Sequence, residues 1–233
     1  MDATTDVLPT RSHTWVEPGD VSLGWLAGTR SVWDTDENER AVAWDAFRVL
    51  HDWLGGPTTM HVRTTYYRKG FALDNGSAAV LYDGVAAAAG GVMLTVRQGA
   101  FEQVAPEGLG LFRAAMKLLG RVSRLDLAGD DRASRRTPAQ LYDLLPAARS
   151  RSRLASRQLT LTANGESKLT VGARMSERYL RCYVTDKRPG VVRHELELKG
   201  SAAAESAARI LGGATLFDVW ADQYRRLVAW PLS

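Results

Sequence analysis

Cysteine occurs once in this sequence, at Cys182. That excludes an internal disulfide and a CxxC zinc site, and a reducing, cytoplasmic location fits. Histidine is nearly as scarce, with four residues at positions 13, 51, 61 and 194 and no His-hydrophobic-His pair. Any metal site is therefore expected to rest on carboxylates. No apolar run approaches the roughly 20 residues that span a bilayer. The opening MDATTDVLPTRSHTW has no basic stretch followed by an apolar one, so no signal peptide is read and no membrane partner is expected. The glycine pairs at 90–91 and 212–213 lack a following GK[ST], which excludes a phosphate-binding loop there. No serine stands in a nucleophile-elbow context.

What is present is an ordinary globular composition, 45% hydrophobic and 24% charged over 233 residues. That suffices for one large domain or two small ones with a shared core. The net charge of +4 is modest, but its distribution is uneven. Residues 1–50 hold nine acids and four bases, whereas 121–157 hold nine arginines and four acids. A basic middle on an acidic start points to a face for a polyanion, although a solvated arginine-rich loop has the same composition.

Residues 1–19 read as a flexible N-terminal arm and 20–233 as a single domain. Val21–Leu26 reads as a first strand. Asp36–Leu54 contains an amphipathic helix, with Trp44, Phe47, Leu50 and Leu54 on one apolar face. Short β-type runs at Arg63–Arg68, Ala78–Tyr82 and Gly91–Val96 are split by Asn75-Gly76 and Asp83-Gly84, good hairpin turns because they tolerate positive φ. Tyr66-Tyr67-Arg68-Lys69 reads as a strand end. Leu109–Leu119 is a second helix. Val122–Ala128 is a strand, and a helix is expected over Pro138–Leu145. Strands follow at Gln158–Ala163, Lys168–Gly172, Arg178–Tyr183 and Val191–Lys199, then helices at Ala202–Leu211 and Leu216–Val228. The fold class is α+β, with largely antiparallel β-sheets and flanking helices. The order of elements is alike in the two halves, so two similar halves forming a cleft are expected, without a sequence repeat to support it.

Alternation in three strands is informative, because residues i and i+2 share a face. In Arg124–Ala128 the leucines take one face and Arg124 and Asp126 the other. In Tyr179–Tyr183, Leu180 and Cys182 oppose Tyr179, Arg181 and Tyr183. In Arg193–Lys199, Leu196 and Leu198 oppose Arg193, Glu195, Glu197 and Lys199. His194 faces away from Glu195 and reads as structural. Half-exposed strands with solvated outer faces commonly look like this. If the polar faces instead converge, carboxylates suit a hard divalent cation, arginines suit phosphate, and a tyrosine beside them can attack phosphorus.

The order RLDLAGDD (124–131), VGARMSERYLRCY (171–183), DK (186–187) and VVRHELELKG (191–200) resembles the replication initiation factor family. These are the Rep-trans-type rolling-circle replication initiators of plasmids and phages, with related conjugative-element relaxases. VSLGWLAGT (21–29) and LYDGVAAAAGGVMLTVRQGAFE (81–102) are similar to its opening strand and its turn-and-strand, so the resemblance spans roughly residues 20–212. It implies a site-specific nicking-closing enzyme that forms a 5′-phosphotyrosine, assisted by Mg²⁺ or Mn²⁺. By position, Tyr183 would be the nucleophile. Arg181 and Lys187 would lie at the scissile phosphate. Asp126, Glu195, Glu197 and Asp130 would be metal ligands. Arg124, Arg135, Arg136, Arg151, Arg153 and Arg193 would contact DNA, with the origin presented single-stranded or as a hairpin. A host helicase and a homodimer are further implied partners. Tyr179 would pack or stack on a base.

Two positions depart from the family pattern. Val184-Thr185 separates Tyr183 from Asp186-Lys187, and Gly24 stands where many relatives carry an acid. These departures keep a second expectation open, a catalytically inactive origin-binding protein of the same fold.

Overall fold

The computed structural model describes residues 16, 18–32, 38–73, 76–133, 136–145, 156–161, 167–185 and 188–228. The first half runs β1 (Val21–Ser31), α1 (Glu39–Leu54), β2 (Thr58–Met60), β3 (Tyr67–Leu73), β4 (Ala78–Gly84), β5 (Gly91–Arg97), α2 (Gln98–Gln103) and α3 (Gly108–Leu118). The second runs β6 (Arg121–Asp131), α4 (Pro138–Leu144), β7 (Arg157–Leu161), β8 (Ser167–Val171), β9 (Arg178–Thr185), β10 (Arg188–Lys199), α5 (Gly200–Leu211) and α6 (Leu216–Leu227).

The ten strands form one sheet in the order β2-β3-β4-β5-β1-β6-β10-β9-β8-β7. Every pairing is antiparallel. The fold is therefore α+β, as expected. Each half places its first strand beside its last and then steps outward to its second, and β1 pairs with β6 to join the halves. The two halves thus repeat one topology, which the order of elements anticipated.

Local chemistry sets the helix boundaries. The side chain of Asn38 accepts from the backbone N–H groups of Arg40 and Ala41 at the start of α1. Thr137 and Gln140 form a reciprocal capping box at α4, and Thr215 caps α6. Such caps satisfy N–H groups that no helical carbonyl can reach. One side of the sheet is apolar: Leu125, Leu127, Leu180, Leu196 and Leu198 are fully buried, in one cluster with Ala203, Ala207 and Ile210 of α5 and Trp220 and Tyr224 of α6. Burying each such leucine contributes about 1.5–3 kcal/mol. That core fixes which face the alternating polar residues must occupy.

Three details differ from the sequence expectation. The strand expected over 63–68 is instead β2 and β3 on either side of an irregular stretch, paired Thr58↔Leu73 to Met60↔Phe71. Gly70 lies inside β3, where a Cβ would come within 2.7 Å of the Val80 carbonyl oxygen. Close strand packing demands a glycine there. The short helix α2, QGAFEQ, was not expected, because six residues carry no useful period. Trp44 is 41% exposed although Phe47, Leu50 and Leu54 of the same helix are buried. Among the described residues no helix is long and apolar enough to cross a membrane.

Candidate active site

Strand order brings the polar faces together. β6, β10, β9 and β8 are consecutive in the sheet, and directly opposed residues on antiparallel neighbours share a face. One row across the sheet reads Asp126, Glu197, Tyr179; the next reads Ala128, Glu195, Arg181; the third reads Asp130, Arg193, Tyr183, Lys168. Arg124 opposes Lys199 at the other end. The convergence that alternation alone could not establish follows from these pairings.

Tyr183 donates its hydroxyl to Glu195 Oε2 at 3.0 Å. The other oxygen of Glu195 accepts from Arg181 Nη2 at 2.6 Å. Arg181 Nε is buried and has no protein acceptor. Beside this trio, Arg124 grips Asp126 with two bonds of 2.8 and 2.6 Å and lies 3.0 Å from Glu197. Lys199 pairs with Glu197 at 2.6 Å. At the far end Arg193 holds Asp130 through bonds of 2.7 and 3.0 Å, helped by Arg188 at 3.0 Å, and reaches Gln98 at 3.1 Å. Three carboxylates and three cations thus alternate beside the tyrosine, with a second ion-paired group behind it.

The electrostatics follow from burial. The Tyr183 hydroxyl is pushed up to about 12, first by burial and then by the Glu195 charge and hydrogen bond; Arg193 and Arg181 oppose the rise. Asp126 is raised to about 6, chiefly by burial and further by Glu197 and Glu195, against the bonds and charge of Arg124. For Glu197, burial pushes upward, but the Lys199 bond and the charges of Arg124, Lys199 and Arg181 outweigh it and the net shift is downward.

The opposite face is structural. His194 is 1% exposed, with Nδ1 lying 3.4 Å from Cys182 Sγ and 3.2 Å from the Tyr224 hydroxyl, and burial lowers it to about 4. The Cys182 thiol is raised by complete burial, so it is a core residue and not a reactive one.

Of the residues expected at the site, Tyr183, Arg181, Asp126, Glu195, Glu197, Arg124, Arg193 and Asp130 share this face. Asp130 is committed to Arg193 and Arg188, apart from the Asp126–Glu197 pair. Arg136 is exposed ahead of α4. Lys187, Arg135, Arg151 and Arg153 lie outside the described residues. Gly24 sits at a register shift between Leu23 and Trp25, and a Cβ there would lie 3.3 Å from that of Asp126. A side chain at position 24 would therefore press directly on Asp126.

Among the described residues no group of three or more His, Cys, Asp or Glu is arranged to hold a metal ion. Asp126 and Glu197, opposed in register and both nearly inaccessible, form a two-carboxylate donor set. Both are already held by Arg124 and Lys199, so a divalent ion could use these carboxylates only by displacing those cations.

Sequence reasoning missed Trp25, Arg97 and Lys168. Trp25 of β1 opposes Asp126 on β6 and Arg97 on β5, and the guanidinium carbons of Arg97 and Arg124 lie 5.1 and 4.9 Å from its ring centroid. Regular alternation groups Trp25 with Leu23. The register shift at Gly24 leaves Leu23 in the core and turns Trp25 to the tyrosine side.

The fold matches a solved structure described as a rolling circle replication initiator protein from Geobacillus stearothermophilus. The TM-score is 0.66 at 19% identity, over 90% of this chain and 85% of that one. No family model matches the sequence, and no curated protein matches it.

Proposed function

We propose that this protein initiates rolling-circle DNA replication or transfer by nicking and rejoining one strand through Tyr183. The observation that carries the reading is the Tyr183–Glu195–Arg181 chain, a nucleophile bonded to a base that a third group orients. The likeness in fold to a rolling circle replication initiator supports the same class of reaction.

In this mechanism the Tyr183 oxygen attacks the scissile phosphorus while its proton passes to Glu195. A hydroxyl pushed up to about 12 is a poor nucleophile at neutral pH, so a base in contact with it is required. The bond from phosphorus to the 3′-oxygen breaks, and the proton held on Glu195 passes to that oxygen. The products are a 5′-phosphotyrosine and a free 3′-hydroxyl that primes synthesis. Closure is the same exchange reversed. Arg181, whose Nε donor is not used by Glu195, stabilises charge developing on the phosphate oxygens, while Arg193, in register with Tyr183, is held by Asp130 and Gln98. A divalent ion, if it displaced Arg124 and Lys199 from Asp126 and Glu197, would supply further charge stabilisation.

The test is a nicking assay on supercoiled replicon DNA and single-stranded oligonucleotides with Mg²⁺ or Mn²⁺. Wild type should give a denaturant-resistant protein–DNA adduct and Tyr183→Phe none. Tight, specific binding by wild type with no adduct would select the alternative, an origin-binding protein without catalysis.

A further inference from the structure

The face that carries Tyr183 is nearly neutralised by its own residues. Arg124 is held by Asp126 and Glu197, Arg181 by Glu195, Arg193 by Asp130, and Lys199 by Glu197. A polyanion gains little from cations already committed to carboxylates. Flanking the cluster on this face, Lys168 and Arg97 form no ion pair among the described residues. Lys168 opposes Tyr183 directly on β8. Arg97 ends β5, is exposed, and stacks on Trp25, which opposes Asp126. A guanidinium lying against an indole loses little freedom when it meets a phosphate, and its outer N–H edge stays available.

These two cations bracket the acidic cluster from opposite sides. From β5 to β8 there are five inter-strand steps, roughly 24 Å at about 4.8 Å each. Resting on the nicking function proposed above, we infer that Lys168 and Arg97 hold backbone phosphates of the single DNA strand on either side of Tyr183, so that the strand crosses the sheet from β8 to β5. Lys168 grips next to the scissile phosphate, and Arg97 grips several nucleotides away. Trp25 keeps Arg97 in place and is a positioning residue. The ion pairs between them neutralise the carboxylates of the cluster, so that these repel the strand little.

The experiment measures affinity for a single-stranded origin oligonucleotide against salt concentration, for wild type, Arg97→Ala, Lys168→Ala and the double variant. Arg48→Ala on α1 is the surface control, and Arg97→Lys with Lys168→Arg preserves charge. Each alanine variant should lower the slope of log K against log salt by about 0.7, the double by about 1.4, whereas the control and charge-preserving variants keep the wild-type slope. Trp25→Leu should weaken binding about as much as Arg97→Ala and add little to it. An unchanged slope in the double variant, with wild-type binding and nicking intact, would overturn the strand path and leave the proposed function standing. Wild type that binds no DNA at any salt would overturn both.

Discussion

Tyr183 carries its proton at neutral pH, and the group that touches that proton is Glu195. Replacing Glu195 by Gln keeps the shape and a hydrogen-bonding partner but removes the base. The nicking rate should fall by about 10²–10⁴ with DNA affinity nearly unchanged, read from single-turnover kinetics beside equilibrium binding. An equal fall in both would make Glu195 a binding residue instead. On the opposite face, burial lowers His194 from 6.5 to about 4. Its charged form therefore favours the unfolded chain. The stability that neutral His194 contributes is fully present above about pH 6.5 and is lost as pH falls through about 4, a change of about 3 kcal/mol. Urea unfolding between pH 7 and 4 should show this loss in wild type, and much less of it in His194→Gln. Both side chains were assigned to their faces from alternation alone, because His194 and Glu195 are adjacent and one strand decides the question. Which carboxylate Tyr183 touches was not legible. Glu195 was expected as a metal ligand, and the bond to the tyrosine depends on the pairing of β9 with β10.

At the scale of elements, regular strands could be read from the sequence and irregular ones could not. The face of Arg124 and Asp126 follows from Leu125 and Leu127, and the face of Arg181 and Tyr183 from Leu180 and Cys182. Trp25 escaped because the irregularity at Gly24 breaks the period of two, and nothing in VSLGWLAGT marks which residue is extra. Lys168 escaped for a different reason: the strand SKLTV was recognised, but its partner strand was unknown, so its neighbour Tyr183 was too. The joint between the halves is also closely packed. A Cβ at Gly28 of β1 would lie 2.3 Å from the Arg121 carbonyl oxygen and 2.8 Å from Leu119 Cδ1. Backbone cannot give way there as a side-chain tip can, so Gly28→Ala should destabilise by about 1–3 kcal/mol, seen as a lower denaturant midpoint at unchanged slope. A neutral result would mean that β1 and β6 part more easily than their register implies.

For the whole molecule, two halves of one topology share a continuous sheet and a buried cluster, and most residues of the proposed chemistry sit in one of them. β6, β9 and β10 supply Asp126, Tyr183, Arg181, Glu195 and Glu197, while β1 and β5 of the other half add Trp25 and Arg97. Because the core runs across the joint, thermal unfolding should be one cooperative transition, with far-UV and tryptophan signals coinciding; separate transitions would show that the halves fold independently. The central claim concerns one oxygen atom in this assembly. It is tested most directly by trapping the protein on a labelled origin oligonucleotide, digesting with trypsin and identifying the DNA-bearing peptide by mass spectrometry. Cleavage after Arg181 and Lys187 separates Tyr183, in CYVTDK, from Tyr179, in YLR. The nucleotide should be found on CYVTDK at Tyr183. Finding it on YLR, or on a peptide from the first half, would contradict the assignment of the nucleophile and the mechanism built on it.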